Sequence, residues 1–122
     1  MKIKKRDKTR PLFTGKGWQK YRKLFLAKPG AAETFPFGPQ VAVYKIKGKM
    51  FATFSPDQGV WYANLKCDPH WAETLRKQYA AIQPGYHMNK KHWNTVTLDD
   101  SIPERLIRRM VDLSYALAAP AK

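Results

Sequence analysis

Eight consecutive residues hold the densest chemistry in the chain: His87-Met88-Asn89-Lys90-Lys91-His92-Trp93-Asn94. The two lysines can neutralise phosphate. An asparagine amide donates and accepts together, which suits a base edge or a phosphate, and Trp93 offers a stacking face. Tyr86, His87, Asn89 and His92 would also form the polar wall of a small pocket, if the segment folds over one. Each residue has a plainer account. Trp93 reads better as a buried strand residue, because tryptophan is mostly buried. Asn94 reads better as a hydrogen-bonding partner of the loop backbone, a role open to His87 and Asn89 as well. Lys90 and Lys91 are expected to be exposed.

Two further groups of cations have regular spacing. Arg105, Arg108 and Arg109 fall at i, i+3 and i+4, so they share one face of a helix. Such a face suits a phosphate backbone, and it also suits the ordinary polar side of an amphipathic helix. Lys45, Lys47 and Lys49 alternate along a hairpin, where lysine also guards sheet edges against aggregation.

Metal and nucleophile chemistry fare less well. Cys67 and His70 are separated by two residues and His87 and His92 by four, a spacing like that of a zinc finger. The first pair opens a helix, while the second lies in a loop beyond an intervening helix and strand. Convergence on one ion is not expected, and no metal or other cofactor is assigned. Cys67 with a nearby histidine could serve nucleophilic catalysis, and the start of a helix could lower its pKa. An inert, half-buried thiol is the expectation. The nine acids are scattered, with capping or turn roles at Asp68, Asp99, Asp100 and Glu104, so no glycosidase-like pair emerges. Thr14 to Gly17 lacks the spacing and preceding strand of a phosphate-binding loop. The reading is non-enzymatic.

Charge is the strongest compositional signal. Lysine and arginine total 23 against nine acids, a net of +14, and residues 1–28 alone carry a net of +10. A field of that sign concentrates polyanions and speeds their encounter, although a solvated basic tail gives the same count. Residues 1–14 have dense charge and no apolar periodicity, so they are expected to form a flexible arm before a single domain of residues 15–122. No run of about 18 apolar residues exists, so no membrane helix is expected. No apolar stretch follows the N-terminal charges, so no secretory signal is expected either. One cysteine fits a reducing compartment, and the expected location is the cytoplasm.

The elements that must position these groups follow from periodicity. Trp18, Tyr21, Leu24 and Phe25 lie on one face of a helix over 17–27. Residues 33–37 could form a short edge strand, 40–47 alternate, and Gly48 permits a tight turn into a strand over 50–54. Residues 56–59 read as a turn and 60–66 as a strand. Asp68-Pro69 opens a second helix, with Trp71, Ala72, Leu75 and Tyr79 inward and Arg76 and Lys77 outward. Strands over 82–86 and 93–98 follow. Ser101 with Glu104 resembles a capping box for a third helix whose core stripe is Leu106, Met110, Leu113 and Leu117. The order is α, three or four strands, α, two strands, α. This predicts an α+β two-layer sandwich of antiparallel sheet and helices.

Several segments together resemble the MmcQ/YjbR family: AKPGAAETFPFG (27–38), KIKGKMFA (45–52), NLKCDP (64–69), LRKQY (75–79), PGYHMNKKHWNTVTLD (84–99) and SIPERLI (101–107). The resemblance spans about residues 17–118. Asp100 stands at a turn position where that family commonly has glycine, and the basic arm is longer than the family start. The resemblance implies a bacterial protein with two antiparallel β wings in a secretion-chaperone-like arrangement. By analogy with a double-wing domain it implies DNA binding, DNA ahead of RNA, and no catalytic residues. The expected contacts are Lys45, Lys47, Lys49, Lys90, Lys91, Arg105, Arg108, Arg109 and the arm's Lys4, Lys5 and Arg6. A protein-binding adaptor or chaperone-like domain is the alternative. A small-molecule binder or enzyme using the His87/His92 region is the third.

Overall fold

The computed structural model describes residues 18–119 except Gln58 and His87. The elements run α1 (Trp18–Leu26), β1 (Ala31–Thr34), β2 (Ala42–Ile46), β3 (Lys49–Asp57), β4 (Val60–Lys66), α2 (Pro69–Gln78), β5 (Ile82–Pro84), β6 (Trp93–Leu98) and α3 (Glu104–Ala118). The six strands form one antiparallel sheet in the order β1-β2-β3-β4-β6-β5. Residues from all three helices join the strands in one hydrophobic cluster. The helices therefore cover a single face of the sheet, and the α+β two-layer expectation holds.

Strand alternation decides which side chains meet the helices. Tyr44, Ala52, Phe54, Ala63, Leu65 and Val96 are buried in the helix-covered core. Their neighbours along the strands, Thr53, Ser55, Tyr62, Asn64 and Thr95, point to the opposite face. A chain of aromatic rings fastens α1 to the sheet. Trp61 stacks on Phe54 at 4.9 Å, Phe54 meets Phe25 of α1 at 5.5 Å, and Phe25 meets Tyr44 at 4.8 Å. Such pairs add about 0.5–1.5 kcal/mol each beyond the area they bury.

Ile46 pairs with Lys49 across a two-residue turn in which Lys47 (φ 50°) and Gly48 (φ 82°) both have positive φ. That is the primed turn whose twist matches antiparallel strands. β3 is longer than its sequence suggests. Pro56 lies within the strand opposite Trp61, and Asp57 pairs with Val60. The expected turn over 56–59 is therefore shorter. Pairing with β2 ends at Phe54, so Pro56 lies where β3 has a strand on one side only, the position in which a sheet tolerates proline.

Asp68 caps α2 as expected, accepting a hydrogen bond from the Trp71 amide at 2.9 Å. The capping box of α3 does not form. Pro103 is the N-cap, and the Ser101 hydroxyl donates to Asp99 at 2.6 Å instead. The buried stripe of α3 is Ile107, Met110, Val111, Ser114 and Ala118, while Leu117 is exposed. The leucine-based stripe is thus rotated about the helix axis, with only Met110 shared. Ser114 explains the rotation. Pairing of β3 with β4 stops at Ala52/Leu65. There the Ser114 hydroxyl accepts from the Lys66 amide at 2.8 Å and donates to the Phe51 carbonyl. A small polar residue bridges two strands where their own ladder ends.

Candidate nucleic-acid interface

The structure sorts the anticipated cations into separate groups. Arg108 of α3 lines a groove of about 290 Å³ with Lys20, Lys23, Leu24 and Ala27 of the first helix and its exit. Glu104 sits between the helices, 3.8 Å from Lys20 Nζ and 3.0 Å from Arg108 Nη2. These side chains are half exposed, and pairs of that kind are worth about 0–1 kcal/mol. The groove keeps an excess of positive charge, because three cations face one carboxylate. Arg105 and Arg109 are exposed on the same helix, and no ion pair engages them among the described residues. Two other cations of α1 and its exit are tied down. Arg22 holds Glu33 through two bonds of 2.9 Å, and Lys28 pairs with Asp112.

Lys47 and Lys49 are exposed at the β2–β3 turn, and Lys45 is half-buried on β2. The register places this turn at the sheet end where Lys66 pairs with Trp93. Lys90 and Lys91 belong to the β5–β6 connection at that same end, and both are exposed as expected. The hairpin lysines and the α3 arginines therefore do not form one continuous patch. Lys4, Lys5 and Arg6 lie outside the described residues.

The connection that carries Lys90 and Lys91 is fastened at its base. Asn89 accepts the Lys91 amide on its side chain at 2.9 Å and the Trp93 amide on its carbonyl at 3.0 Å. The Lys90 ammonium donates to the Gly85 carbonyl at 2.8 Å. Gly85 has no substitute here, since a Cβ would lie 2.8 Å from that of Trp93. Arg76 does not face outward. Its Nε donates to Asn94 Oδ1 at 2.7 Å, and its Nη2 reaches the carbonyls of Lys90 and Trp93. Trp93 and Asn94 are buried, so the plainer account of Trp93 holds, whereas Asn94 holds the Arg76 side chain rather than the loop backbone.

The pocket anticipated around Tyr86, His87, Asn89 and His92 is assembled differently. Tyr86 lines a depression of about 360 Å³ with Ser55, Asp57, Tyr62, Asn64 and Thr95, on the sheet face away from the helices. Asn89 and His92 do not line it, being part of the turn that returns to β6, and His87 lies outside the described residues. Sequence reading missed Tyr62 and Asn64. The signal was present in β4, where Tyr62, Asn64 and Lys66 alternate with the inward Trp61, Ala63 and Leu65.

Cys67 is buried, and burial, with Asp68 adding to it, pushes its thiol up to about 11. The lowered pKa considered for a thiol at a helix start is therefore reversed. No group of three or more His, Cys, Asp or Glu side chains is placed to hold a metal ion among the described residues. Among them, no helix is long and apolar enough to cross a membrane.

A three-helix layer on one face of an open six-stranded antiparallel sheet defines a small α+β class. The YjbR family model matches residues 26–117, and the chain belongs to that family. It is similar to the uncharacterized protein YbdF of Escherichia coli O157:H7, 42% identical over 96 residues that cover 79% of each chain. It is 37% identical to the uncharacterized protein YjbR of Escherichia coli K12, over 76% of this chain and 79% of that one. A Deinococcus radiodurans protein with a DUF419 domain has a crystal structure that superposes with a TM-score of 0.77 at 38% identity. That match covers 82% of this chain and 76% of the other. A Pseudomonas syringae protein matches with a TM-score of 0.74 at 27% identity, covering 84% and 98%.

Proposed function

We propose that this protein is a non-enzymatic, cytoplasmic nucleic-acid-binding protein that engages DNA ahead of RNA, chiefly through phosphate. The observation that carries the reading is the groove between α1 and α3. It brings Lys20, Lys23 and Arg108 together from two elements, more than 80 residues apart in sequence. A groove lined by three cations and by the apolar Leu24 and Ala27 suits a polyanion that lies along it. The net charge of +14 supports the same reading, because fields of one sign steer polyanions to the surface. The lysines of the β2–β3 turn and Lys90 and Lys91 supply a second, separate set of contacts at one end of the sheet.

Fluorescence anisotropy with a labelled DNA duplex at two salt concentrations tests the groove. Changing Lys20, Lys23 and Arg108 together to alanine is expected to weaken binding about tenfold or more. The slope of log K against log salt should fall by up to about 2.7 if each contacts one phosphate. Changing Lys90 and Lys91 should have a smaller, additive effect. An unchanged affinity in the triple variant removes the groove from the interface. A wild-type chain that binds no nucleic acid moves the adaptor reading to first place. The exposure of Phe35 (44%) and Phe37 (73%) between β1 and β2 favours that second reading.

A further inference from the structure

One row of side chains crosses the uncovered face of the sheet from strand to strand. The register places Thr53, Asn64 and Thr95 side by side on β3, β4 and β6. Asn64 Nδ2 donates to the Thr53 hydroxyl at 2.9 Å, and the Thr95 hydroxyl donates to Asn64 Oδ1. Thr95 in turn accepts the Tyr86 amide at 2.9 Å. An asparagine amide has two N–H donors and two acceptor lone pairs. The flanking threonines take one of each from the sides. One donor and one acceptor remain on the outward edge of the amide, in a side chain that its neighbours hold upright.

The depression around that edge has a definite chemistry. Tyr62 and Tyr86 supply aromatic rings, Ser55 a hydroxyl and Asp57 a carboxylate. Among the described residues no lysine or arginine lines it, in a chain of net charge +14. The cations of this face lie beside it. Lys66 is two residues along β4 from Asn64 and on the same face, about 7 Å away at the ordinary strand rise. Lys45 stands on that face two strands over, opposite Met50. A phosphate is repelled by Asp57 and attracted by Lys66, whereas a base is neutral and presents a π-face. An exposed amino group on the base would satisfy the Asp57 carboxylate.

We propose that the depression on the open face of the sheet is a site for one unpaired nucleobase of a single strand, stacked on Tyr86 and Tyr62 and read by Asn64. This deepens the nucleic-acid reading and rests on it. The donor–acceptor edge of Asn64 matches a base with an amino group beside a ring nitrogen, adenine above all, which asparagine reads with two bonds. Thymine can also meet that edge, through its N3–H and a carbonyl, but it has no amino group for the Asp57 carboxylate. Duplex DNA does not reach the site, because a paired base presents no free face. The groove of α1 and α3 lies on the helical layer, so the two sites are separable by mutation.

The test is anisotropy of the full chain with labelled oligo-dA and oligo-dT of equal length, at one salt concentration. The wild type should prefer oligo-dA by about tenfold, the value of one hydrogen bond from the adenine amino group to the charged Asp57. Tyr86→Ala should weaken oligo-dA binding about tenfold and leave oligo-dT and duplex binding nearly unchanged. Tyr86→Phe should keep the preference, and Asn64→Asp should lose it. Circular dichroism confirms that the variants fold, and Tyr86→Ala, in an exposed loop, is the safest of them. Equal affinity for the two oligonucleotides, or a preference that survives Tyr86→Ala, overturns the proposal. In parallel, adenosine monophosphate is titrated into labelled protein followed by NMR. Shifts confined to Tyr62, Asn64 and Thr95 support the base site even if duplex binding fails. Shifts at Lys20 and Lys23 alone show phosphate binding in the groove and count against it.

Discussion

Single residues carry the sharpest physical statements. Glu33 accepts two bonds from Arg22 and one from the Tyr44 phenol at 2.7 Å. The Arg22 hydrogen bonds hold its carboxyl below the usual range, with the Tyr44 bond adding to them against the opposing effect of burial. The same arrangement raises the Tyr44 phenol, first through burial and then through the adjacent carboxylate. A carboxyl whose folded pKa is depressed stabilises the fold fully above its unfolded pKa. That stability disappears as pH falls through the folded value. Urea midpoints between about pH 6 and pH 3 should therefore decline on acidification, and Glu33→Gln should flatten the decline. Equal slopes in the two proteins would assign acid sensitivity to other carboxyls. Arg76 shows what sequence hides at this scale. Its partners Asn94, Lys90 and Trp93 lie 14 to 18 residues away, and helical periodicity alone put it on the polar side.

Elements were legible where one periodicity dominated. The bounds of β4 and β6 and the start of α2 match their sequence signals because strand alternation, tryptophan and the Asp-Pro start agree. They were less legible where a polar residue does the work of an apolar one. In α3 the leucines mark a stripe, yet Leu117 is exposed and Ser114 is wholly buried. Hydrophobic pattern cannot see a hydroxyl that completes two broken strands. Ser114→Ala leaves the Lys66 amide and the Phe51 carbonyl without that partner, and should cost about 2–3 kcal/mol in urea unfolding. A loss under about 0.5 kcal/mol would mean that the strands close on each other without the hydroxyl. Pro56 misled in the opposite sense. Its composition signals a turn, but β3 continues through it because β2 has already ended.

At the scale of the molecule, the two-layer architecture was readable from element order, and the identity of the uncovered face was not. The open face depends on all three helices choosing the same side, a tertiary outcome that no local window contains. The depression on that face was hidden for the same reason, since Ser55, Tyr62, Tyr86 and Thr95 come from separate strands and a loop. Charge was fully legible as a sum and only partly as a surface. If the arm contributes long-range attraction, a chain lacking residues 1–14 should bind duplex DNA more weakly. It loses six cations, so the slope of log K against log salt should fall by up to about 5 if all of them release counterions. A truncated chain with the same slope would confine phosphate contact to the folded domain. One last consequence follows from the rims of the sheet. The outer strands are short, four residues in β1 and three in β5, and β5 ends in Pro84. Brief borders and a missing donor resist templated growth into fibrils and exchange of strands between chains. Self-association through added strands is therefore disfavoured, and crowding a long polyanion with many copies should decorate it with discrete units rather than with a continuous sheet.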